Sequence, residues 1–189
     1  MPVVHRPGEG EHIGGPSAVT IKATGDDTAG SLYLGEAVAQ PGFAGPLRHR
    51  HRELHDMFYV LEGVLTVSVG NEDLELEAGS FVCVPPGTVH TFSNRSGEPV
   101  RFLNFNTPAG WENYMRDLGE LLASGDPTPE EIGRVASRYD FRGRVIDDVP
   151  GEGTRARSAR EAALDGEAHG RACEAKRLGR HRAREPAVA

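Results

Sequence analysis

The chain has 189 residues, which is enough for one domain with a tail or for two small domains. Its formal net charge of −7 argues against a general nucleic-acid binder, because such proteins carry a basic surface. The two cysteines fit neither a disulfide framework nor a zinc-ribbon spacing, and no apolar run is long enough for a membrane span or a secretory signal. We therefore expect a cytoplasmic protein that binds neither nucleic acid nor a membrane.

The first part of the chain is rich in β-strand signals. Residues 1–16 hold many glycines, prolines and charges, and we expect a flexible arm in which His5 and His12 are solvated. Beyond them, short segments alternate apolar and polar residues or are apolar throughout, and turn signals separate them. The predicted strands lie at 17–24, 31–39, 57–69 (two strands folded at Glu62-Gly63), 74–76, 81–84, 89–93 and 100–106. This pattern is typical of an antiparallel sandwich or barrel, here over residues 17–107.

At Pro108 the spacing of the apolar residues changes. Between Trp111 and Leu122 they recur at three- and four-residue steps, which predicts an amphipathic helix. The sequence TPEE at 128–131 has the pattern of a capping box with proline at the first helical position, so a second helix should begin there. We expect these helices to form an extension over residues 108–149 that covers one face or the mouth of the β domain.

The end of the chain differs in charge and composition from the rest. From residue 155 onward there are 9 Lys and Arg against 5 Asp and Glu, a net charge of +4, whereas residues 1–154 carry −11. The same end has no aromatic residue and few large aliphatic ones, so it buries too little apolar surface to offset its ordering entropy. We predict a disordered, basic, solvated tail over residues 150–189.

Four side chains that suit a transition metal stand in two stretches of the chain. His49 and His51 are two residues apart, so on a strand both imidazoles project from the same face. Asp56 follows five residues after His51, and His90 lies in the second stretch. Two close histidines, a carboxylate and a distant histidine form a ligand set for such an ion, although a histidine pair among arginines can also be a plain exposed strand. His55 faces the opposite side of a regular strand and is not expected to bind.

The spacing around these residues resembles the two signature motifs of the cupin superfamily, in particular small single-domain (monocupin) proteins of the quercetin-dioxygenase-like group. The two stretches are His49-x-His51-x4-Asp56-x6-Gly63 and Gly79-x5-Pro85-x-Gly87-x2-His90-x3-Asn94. The second stretch matches at every fixed position. The first departs twice, because Phe43 stands where a glycine usually opens the motif and Asp56 stands where glutamate is usual. The resemblance covers about residues 30–107.

The resemblance implies a mainly β fold, an antiparallel jelly-roll barrel, with one divalent metal ion per chain. The implied ligands are His49, His51, Asp56 and His90. The implied ions are Fe, Mn, Ni or Co, and zinc stays open. Proteins of this kind commonly pair as homodimers, so a homodimer is the expected assembly.

Asp56 could contribute to this centre in three ways. Aspartate is one methylene shorter than glutamate, so it binds the ion directly only where the backbone moves in; otherwise it binds through a water or orients a histidine. If it is not a ligand, it is the nearby candidate for a general base, and we predict it as the catalytic residue. Phe58 and Val60 share its strand face, and Phe92 shares that of His90, so these three are expected to line an apolar substrate pocket.

Three functions fit this chain. The resemblance favours a metal-dependent, dioxygenase-like enzyme acting on a small enolic or phenolic (flavonol-like) substrate. A non-redox isomerase or cyclase, and a protein that binds or senses a small ligand without turnover, are the alternatives, because this fold hosts many chemistries. Away from the centre, Tyr59 is expected to face outward or pack against the helices, and Cys83 is expected to be a small core residue.

Overall fold

The computed structural model describes residues 2–143, so the predicted tail over 150–189 and the end of the helical extension lie outside the described residues. Within this range the chain forms eleven strands and two helices. The strands are β1 Glu11–Ile13, β2 Ser17–Ala23, β3 Tyr33–Ala39, β4 His49–Arg50, β5 His55–Glu62, β6 Val64–Val69, β7 Glu72–Glu77, β8 Phe81–Val84, β9 His90–Ser93, β10 Val100–Thr107 and β11 Arg142–Gly143. The helices are α1 Trp111–Ala123 and α2 Pro129–Ala136.

The strands form two antiparallel sheets. The larger sheet has the order β1-β2-β3-β10-β5-β8, and the smaller one has the order β11-β4-β9-β6-β7. Side chains from both sheets share one apolar core, with Phe58 and Phe102 from the larger sheet and Leu65 and Val67 from the smaller, each at most 1% exposed. The arrangement confirms the predicted mainly β, antiparallel jelly-roll fold with two helices after it.

Strand β5 shows how alternation along the sequence sets the two faces. Asp56, Phe58 and Val60 point inward and are at most 4% exposed, whereas Tyr59 is 38% exposed on the outer face, as predicted. Strand β10 pairs along β5 and places Asn106 opposite Asp56. The inner face of β5 therefore carries one carboxylate at the end of an otherwise apolar row.

The N-terminal arm contains a strand that the sequence analysis does not predict. Residues 11–13 form β1, which pairs with β2 at the edge of the larger sheet. Ile13 belongs to the core cluster, and Glu11 forms an ion pair with Arg116 of α1 at 2.7 Å between Oε2 and Nη2. A strand of three residues is too short to show a periodic pattern, so only its partners reveal it.

The prediction of a core position for Cys83 is wrong. Strand β8 forms one edge of the larger sheet, and its side chains alternate between the faces. Phe81 and Cys83 are therefore exposed, whereas Val84 is buried. An apolar run of four residues is typical of a strand that is covered on both faces, but an edge strand of the same composition can be covered on one face only.

The two helices follow the barrel and pack on it and on each other. Trp111 and Met115 of α1 contact the barrel core, and Tyr114 contacts the cluster that includes Val135 of α2. Helix α2 begins at the predicted capping box, in which the hydroxyl and N–H of Thr128 are paired with the N–H and carboxylate of residue 131. In residues 2–143 neither helix has the length and apolar character of a membrane span.

Gly45 permits a close crossing beside β4. Its φ is +85°, and a Cβ at this position would overlap the carbonyl oxygen of Phe92. The loop that leads into β4 can therefore lie against β9, and the first residue of β4, His49, stands directly opposite His90. The family usually has its glycine at the position of Phe43. In this chain the close approach occurs two positions later, at residue 45.

Candidate metal centre

The fold brings together the four side chains that the sequence analysis selects. His49 and His90 come from the paired strands β4 and β9, His51 follows β4, and Asp56 comes from β5 of the other sheet. All four are buried, with exposed fractions of 1% to 4%. One nitrogen or oxygen atom from each lies within 4.8 Å of the corresponding atoms of the others, and the group can therefore bind a metal ion. His55 lies outside this group.

The tight turn in the second motif holds the backbone of the first motif in place. Pro85 and Pro86 restrict the backbone, and Gly87 has a φ of +81°, which a residue with a side chain rarely adopts. The N–H of Gly87 donates to the carbonyl of His51 at 2.7 Å. The spacing of the second stretch therefore sets the backbone of a histidine in the first.

Each histidine of the centre is oriented by a hydrogen bond from Nδ1 to a backbone carbonyl. His49 and His90 each bond to the carbonyl two residues upstream, at 2.8 and 2.9 Å, and His51 bonds to the carbonyl of Asp140. Because a carbonyl only accepts, Nδ1 must carry the proton in each ring. A neutral ring with this tautomer presents the lone pair of Nε2 to the centre, as metal-bound imidazoles do.

With Nδ1 protonated and Nε2 bare, two contacts at the centre join acceptor atoms, and a cation would fit between them. Nε2 of His90 lies 3.2 Å from Oδ2 of Asp56, and Nε2 of His51 lies 3.9 Å from the same oxygen. Nε2 of His51 is buried and has no hydrogen-bond partner within the described part of the chain. Buried lone pairs that face a carboxylate are costly unless a positive charge lies among them, and a divalent ion supplies it.

The protonation states favour metal binding at neutral pH. Burial, reinforced by the charges of His90 and His51, lowers the pKa of His49 to about 3. Burial also lowers the pKa of His51, although Asp56 opposes the shift. Burial raises the pKa of Asp56, but its polar neighbours, the amide of Asn104 among them, outweigh this and hold that pKa below its usual value. The centre therefore offers two imidazoles, those of His49 and His51, that are neutral at pH 7, and an ionised carboxylate.

Two asparagines that the sequence analysis did not select hold Asp56 in place. Asn104 and Asn106 of β10 donate through Nδ2 to Oδ1 of Asp56 at 2.6 and 2.7 Å. The other oxygen, Oδ2, is thereby left to face the histidines. The sequence signal is the alternating N-x-N on a strand, but its meaning depends on the register in which β10 pairs with β5.

A second missed contribution comes from the segment after α2. The ring of Phe141 stacks on the imidazole of His49, with 4.2 Å between centroids and 9° between planes. Strand β11 follows and pairs with β4. No local motif predicts this contact, because it depends on where the chain returns after two helices.

A cavity of about 230 Å³ opens beside the four side chains. His49 and Asp56 supply part of its wall, and most of the other lining residues are apolar. These include Phe43, Phe92, Phe102, Trp111, Met115 and Phe141. Of the three residues predicted to line a substrate pocket, Phe92 lines this cavity, whereas Phe58 and Val60 do not appear in its wall and are fully buried in the core. Their inward face is covered by neighbouring rings such as Phe92, whose centroid lies 5.1 Å from that of Phe58.

Comparison with known proteins supports the resemblance drawn from the motifs. A family model described as the cupin domain matches residues 35–106, the part of the chain that holds all four candidate ligands. The chain is 32% identical over 150 residues to quercetin 2,3-dioxygenase of Bacillus subtilis, and the match covers 79% of this chain and 44% of that protein. The chain thus spans less than half the length of this relative.

Two further comparisons agree. An uncharacterised protein of Methanocaldococcus jannaschii is 31% identical over 89 residues, which is 47% of this chain and 67% of that protein. Among solved structures, KdgF from a Halomonas species has 16% identity and a TM-score of 0.50, with 60% of this chain and 97% of that one covered, which shows the fold alone. The two motifs, the match to the cupin domain and the sequence relatives lead to one conclusion: the chain belongs to the cupin superfamily.

Proposed function

We propose that the protein is a metal-dependent, dioxygenase-like enzyme that acts on a small enolic or phenolic substrate. The observation that carries this proposal is the position of the buried three-histidine, one-aspartate group. It forms part of the wall of an apolar cavity, where a bound molecule would meet an ion held by that group.

The donor set suits a catalytic ion rather than a closed structural one. Three neutral imidazoles and one carboxylate leave one or two positions open on a six-coordinate ion, and mixed nitrogen and oxygen ligation suits Fe, Mn, Co and Ni, with zinc also compatible. Such an ion supplies redox chemistry with O2 if it is redox-active, or Lewis acidity if it is not.

The residues of the chain would bind the substrate, exclude water and move a proton. The apolar wall, with Phe92 and Phe102, suits the faces of a flat ring. Where Asp56 does not bind the ion itself, it would take the proton of an enol or phenol on Oδ2, because its other oxygen is already held by Asn104 and Asn106. The cavity is smaller than the roughly 300 Å³ at which sites for drug-sized ligands begin, so it favours the smaller substrates of this class.

The relative from Bacillus subtilis suggests the type of reaction and the class of substrate. Its name makes it a dioxygenase of quercetin, a flavonol, and the identity extends over most of this chain. Because this chain covers less than half of that protein, the reaction and the substrate are transferred as a proposal and need a direct test.

The test is oxygen uptake by the apo-protein after reconstitution with Fe, Mn, Co, Ni or Zn, each with a panel of flavonols, simple phenols and enols. We expect oxygen consumption with at least one of the first four ions and none with zinc, because zinc has no accessible redox change. The His90→Ala variant, treated identically, is the control for chemistry by free metal.

Other results would assign another function. Turnover with zinc, or turnover without oxygen, would replace the oxygenase by a non-redox isomerase or cyclase. If no metal form turns over any compound while one compound binds tightly, the protein is a ligand-binding or sensing cupin.

A further inference from the structure

Residues 140–143 return from the helices to the centre. They follow the end of α2 and lead into β11, which pairs with β4 so that Gly143 stands opposite His49 and Arg142 stands opposite Arg50. This short segment, called the strap below, is therefore in backbone contact with the strand that carries a candidate ligand. It lies about ninety residues along the chain from that strand.

The carboxylate of Asp140 anchors the strap to the loop between His51 and β5. It accepts hydrogen bonds from the backbone N–H groups of Arg52, Glu53 and Leu54 at 2.7, 2.8 and 3.0 Å. Three donors on one carboxylate fix the conformation of the loop. The loop joins two candidate ligands, so its conformation sets where His51 and Asp56 lie relative to each other.

The backbone of Asp140 acts on His51 itself. Its carbonyl accepts the hydrogen bond from Nδ1 of His51, which fixes both the tautomer and the rotation of that ring. The same residue thus holds the loop with its side chain and the imidazole with its main chain.

Phe141 acts on the other histidine of the pair. Its ring is 6% exposed, lies parallel to the imidazole of His49, and meets the imidazole of His51 at 75° with 6.3 Å between centroids. A parallel ring at 4.2 Å leaves the imidazole of His49 no room to turn about χ2. With the hydrogen bond on Nδ1, this contact keeps Nε2 directed at the centre.

We propose that the strap is a clamp for the metal centre, in which Asp140 and Phe141 are positioning residues for His51 and His49. The two imidazoles lose their conformational entropy when the chain folds and not when the ion binds, so that an ion meets a preorganised set of ligands. This inference rests on the metal site proposed above but not on the oxygenase reaction.

The test measures the affinity and the visible spectrum of Co(II) bound to the purified full chain. Asp140→Ala removes the anchor of the strap, and Phe141→Leu removes the stacked ring while keeping an apolar side chain. We expect each variant to bind Co(II) about 10- to 100-fold more weakly, as substitutions of groups that orient metal ligands usually do. We also expect the d–d bands to change in shape, because the ligand geometry changes.

Tyr139→Phe is the matched control. It alters the residue next to the strap and removes the hydrogen bond from Tyr139 to Asp117, 2.6 Å long, but it touches none of the four candidate ligands. The control should keep both the affinity and the spectrum of the wild type. If Asp140→Ala and Phe141→Leu are folded by circular dichroism and also keep both, the clamp does not exist. Wild-type protein without Co(II) binding would instead contradict the metal site itself.

A measurement on the wild type keeps the proposal open to refutation if a variant fails to fold. Coupling between the strap and the ion is reciprocal, so the ion must stabilise the strap as much as the strap favours the ion. Amide hydrogen exchange in a peptide covering residues 139–143 should slow when Co(II) is added, more than in a peptide from α2. Equal exchange in this peptide with and without Co(II) would overturn the clamp.

Discussion

The two oxygens of the Asp56 carboxylate have different surroundings. Oδ1 is held by two amide donors, whereas Oδ2 faces His90 and His51. Aspartate is shorter than the glutamate that the family usually has here, so its carboxylate extends less far from the backbone. The hydrogen bonds from β10 fix the orientation of that carboxylate. Direct binding to the ion, binding through a water and orientation of a histidine all use the oxygen Oδ2 that faces the histidines.

Single substitutions in this group should separate the histidines from the aspartate. We expect one divalent ion per chain in the wild type, and less than about a tenth of an equivalent in His49→Ala, His51→Ala or His90→Ala, because each removes a neutral nitrogen donor. Asp56→Ala should lose less. Elemental analysis after metal-supplemented, chelator-free purification measures this. Equal losses in all four variants would mean that Asp56 is as essential a ligand as the histidines.

Acid should destabilise the metal-free protein through His49. The pKa of this residue is about 3 when folded and 6.5 in the reference state. Between these values the unfolded chain binds a proton that the folded chain does not, so the free energy of unfolding falls as the pH drops. The loss from His49 is on the order of 3 kcal/mol at pH 4. Asp56, whose pKa is also lowered on folding, adds a loss in the same direction as the pH falls through its folded value.

Urea denaturation of the metal-free protein at pH 7, 5.5 and 4 measures this dependence. His49→Gln is the control, because glutamine does not titrate, and its stability should fall less steeply with pH. Parallel curves for the two proteins would show that His49 is not buried as a neutral ring.

At the scale of the elements, two glycines in the loop before β4 differ in what surrounds them. Gly42 and Gly45 both have positive φ, +75° and +85°. A Cβ at Gly42 would meet no atom within 4 Å, whereas one at Gly45 would overlap the backbone of β9. Gly42 is needed only for the left-handed backbone conformation, whereas Gly45 also allows the loop to contact β9.

Alanine substitution should separate these two effects. Gly42→Ala should cost about 1 kcal/mol of unfolding free energy, the strain of a left-handed residue. Gly45→Ala should cost about 3 kcal/mol or more, because strain and overlap add. It should also weaken metal binding, since the crossing places His49 opposite His90. Chemical denaturation and a metal titration of both variants provide the check, and equal costs would mean that the crossing adjusts without strain.

The elements also show how far the sequence predicts this structure. Alternation along β3 and β5, and the capping box at Thr128, are local patterns, so these two strands and α2 are predictable. The four-residue group is predictable because the motif spacing is fixed by a tight turn at Gly87. The roles of Asn106 and Asp140 are not predictable, because they depend on sheet register and on the return of the chain. The exposure of Cys83 depends on which strand ends the sheet.

The described residues include the barrel and both helices, and the predicted tail lies beyond them. We propose that removing residues 155–189 leaves the fold and the metal centre intact, since those residues offer little apolar surface to bury. The melting temperature should fall by less than about 5 °C, which corresponds to roughly 1 kcal/mol for a domain of this size. Metal content should be unchanged. A larger fall would mean that the tail packs on the domain.

We also propose that two copies of the chain form a homodimer through the outer face of the larger sheet. Tyr59 and Phe81 stand opposite each other on β5 and β8 and are 38% and 56% exposed, and adjoining exposed aromatic residues mark interaction surfaces. Phe81→Glu should shift the protein from dimer to monomer in sedimentation equilibrium. Leu74→Glu, at a position 36% exposed on the other sheet, is the control and should stay dimeric. A monomeric wild type would refute the dimer.

The candidate ligands do not all come from the same sheet: β4 and β9 belong to the smaller one and β5 to the larger. An ion held by His49, His90 and Asp56 would therefore act as a removable cross-link between the two halves of the barrel. Stability would then follow the concentration of free metal, with a gain of about 2.7 kcal/mol at a concentration one hundred times the dissociation constant. If the proposed enzyme lost its ion, it would lose its activity and part of its resistance to proteolysis together, so inactive molecules would be the ones most readily cleared.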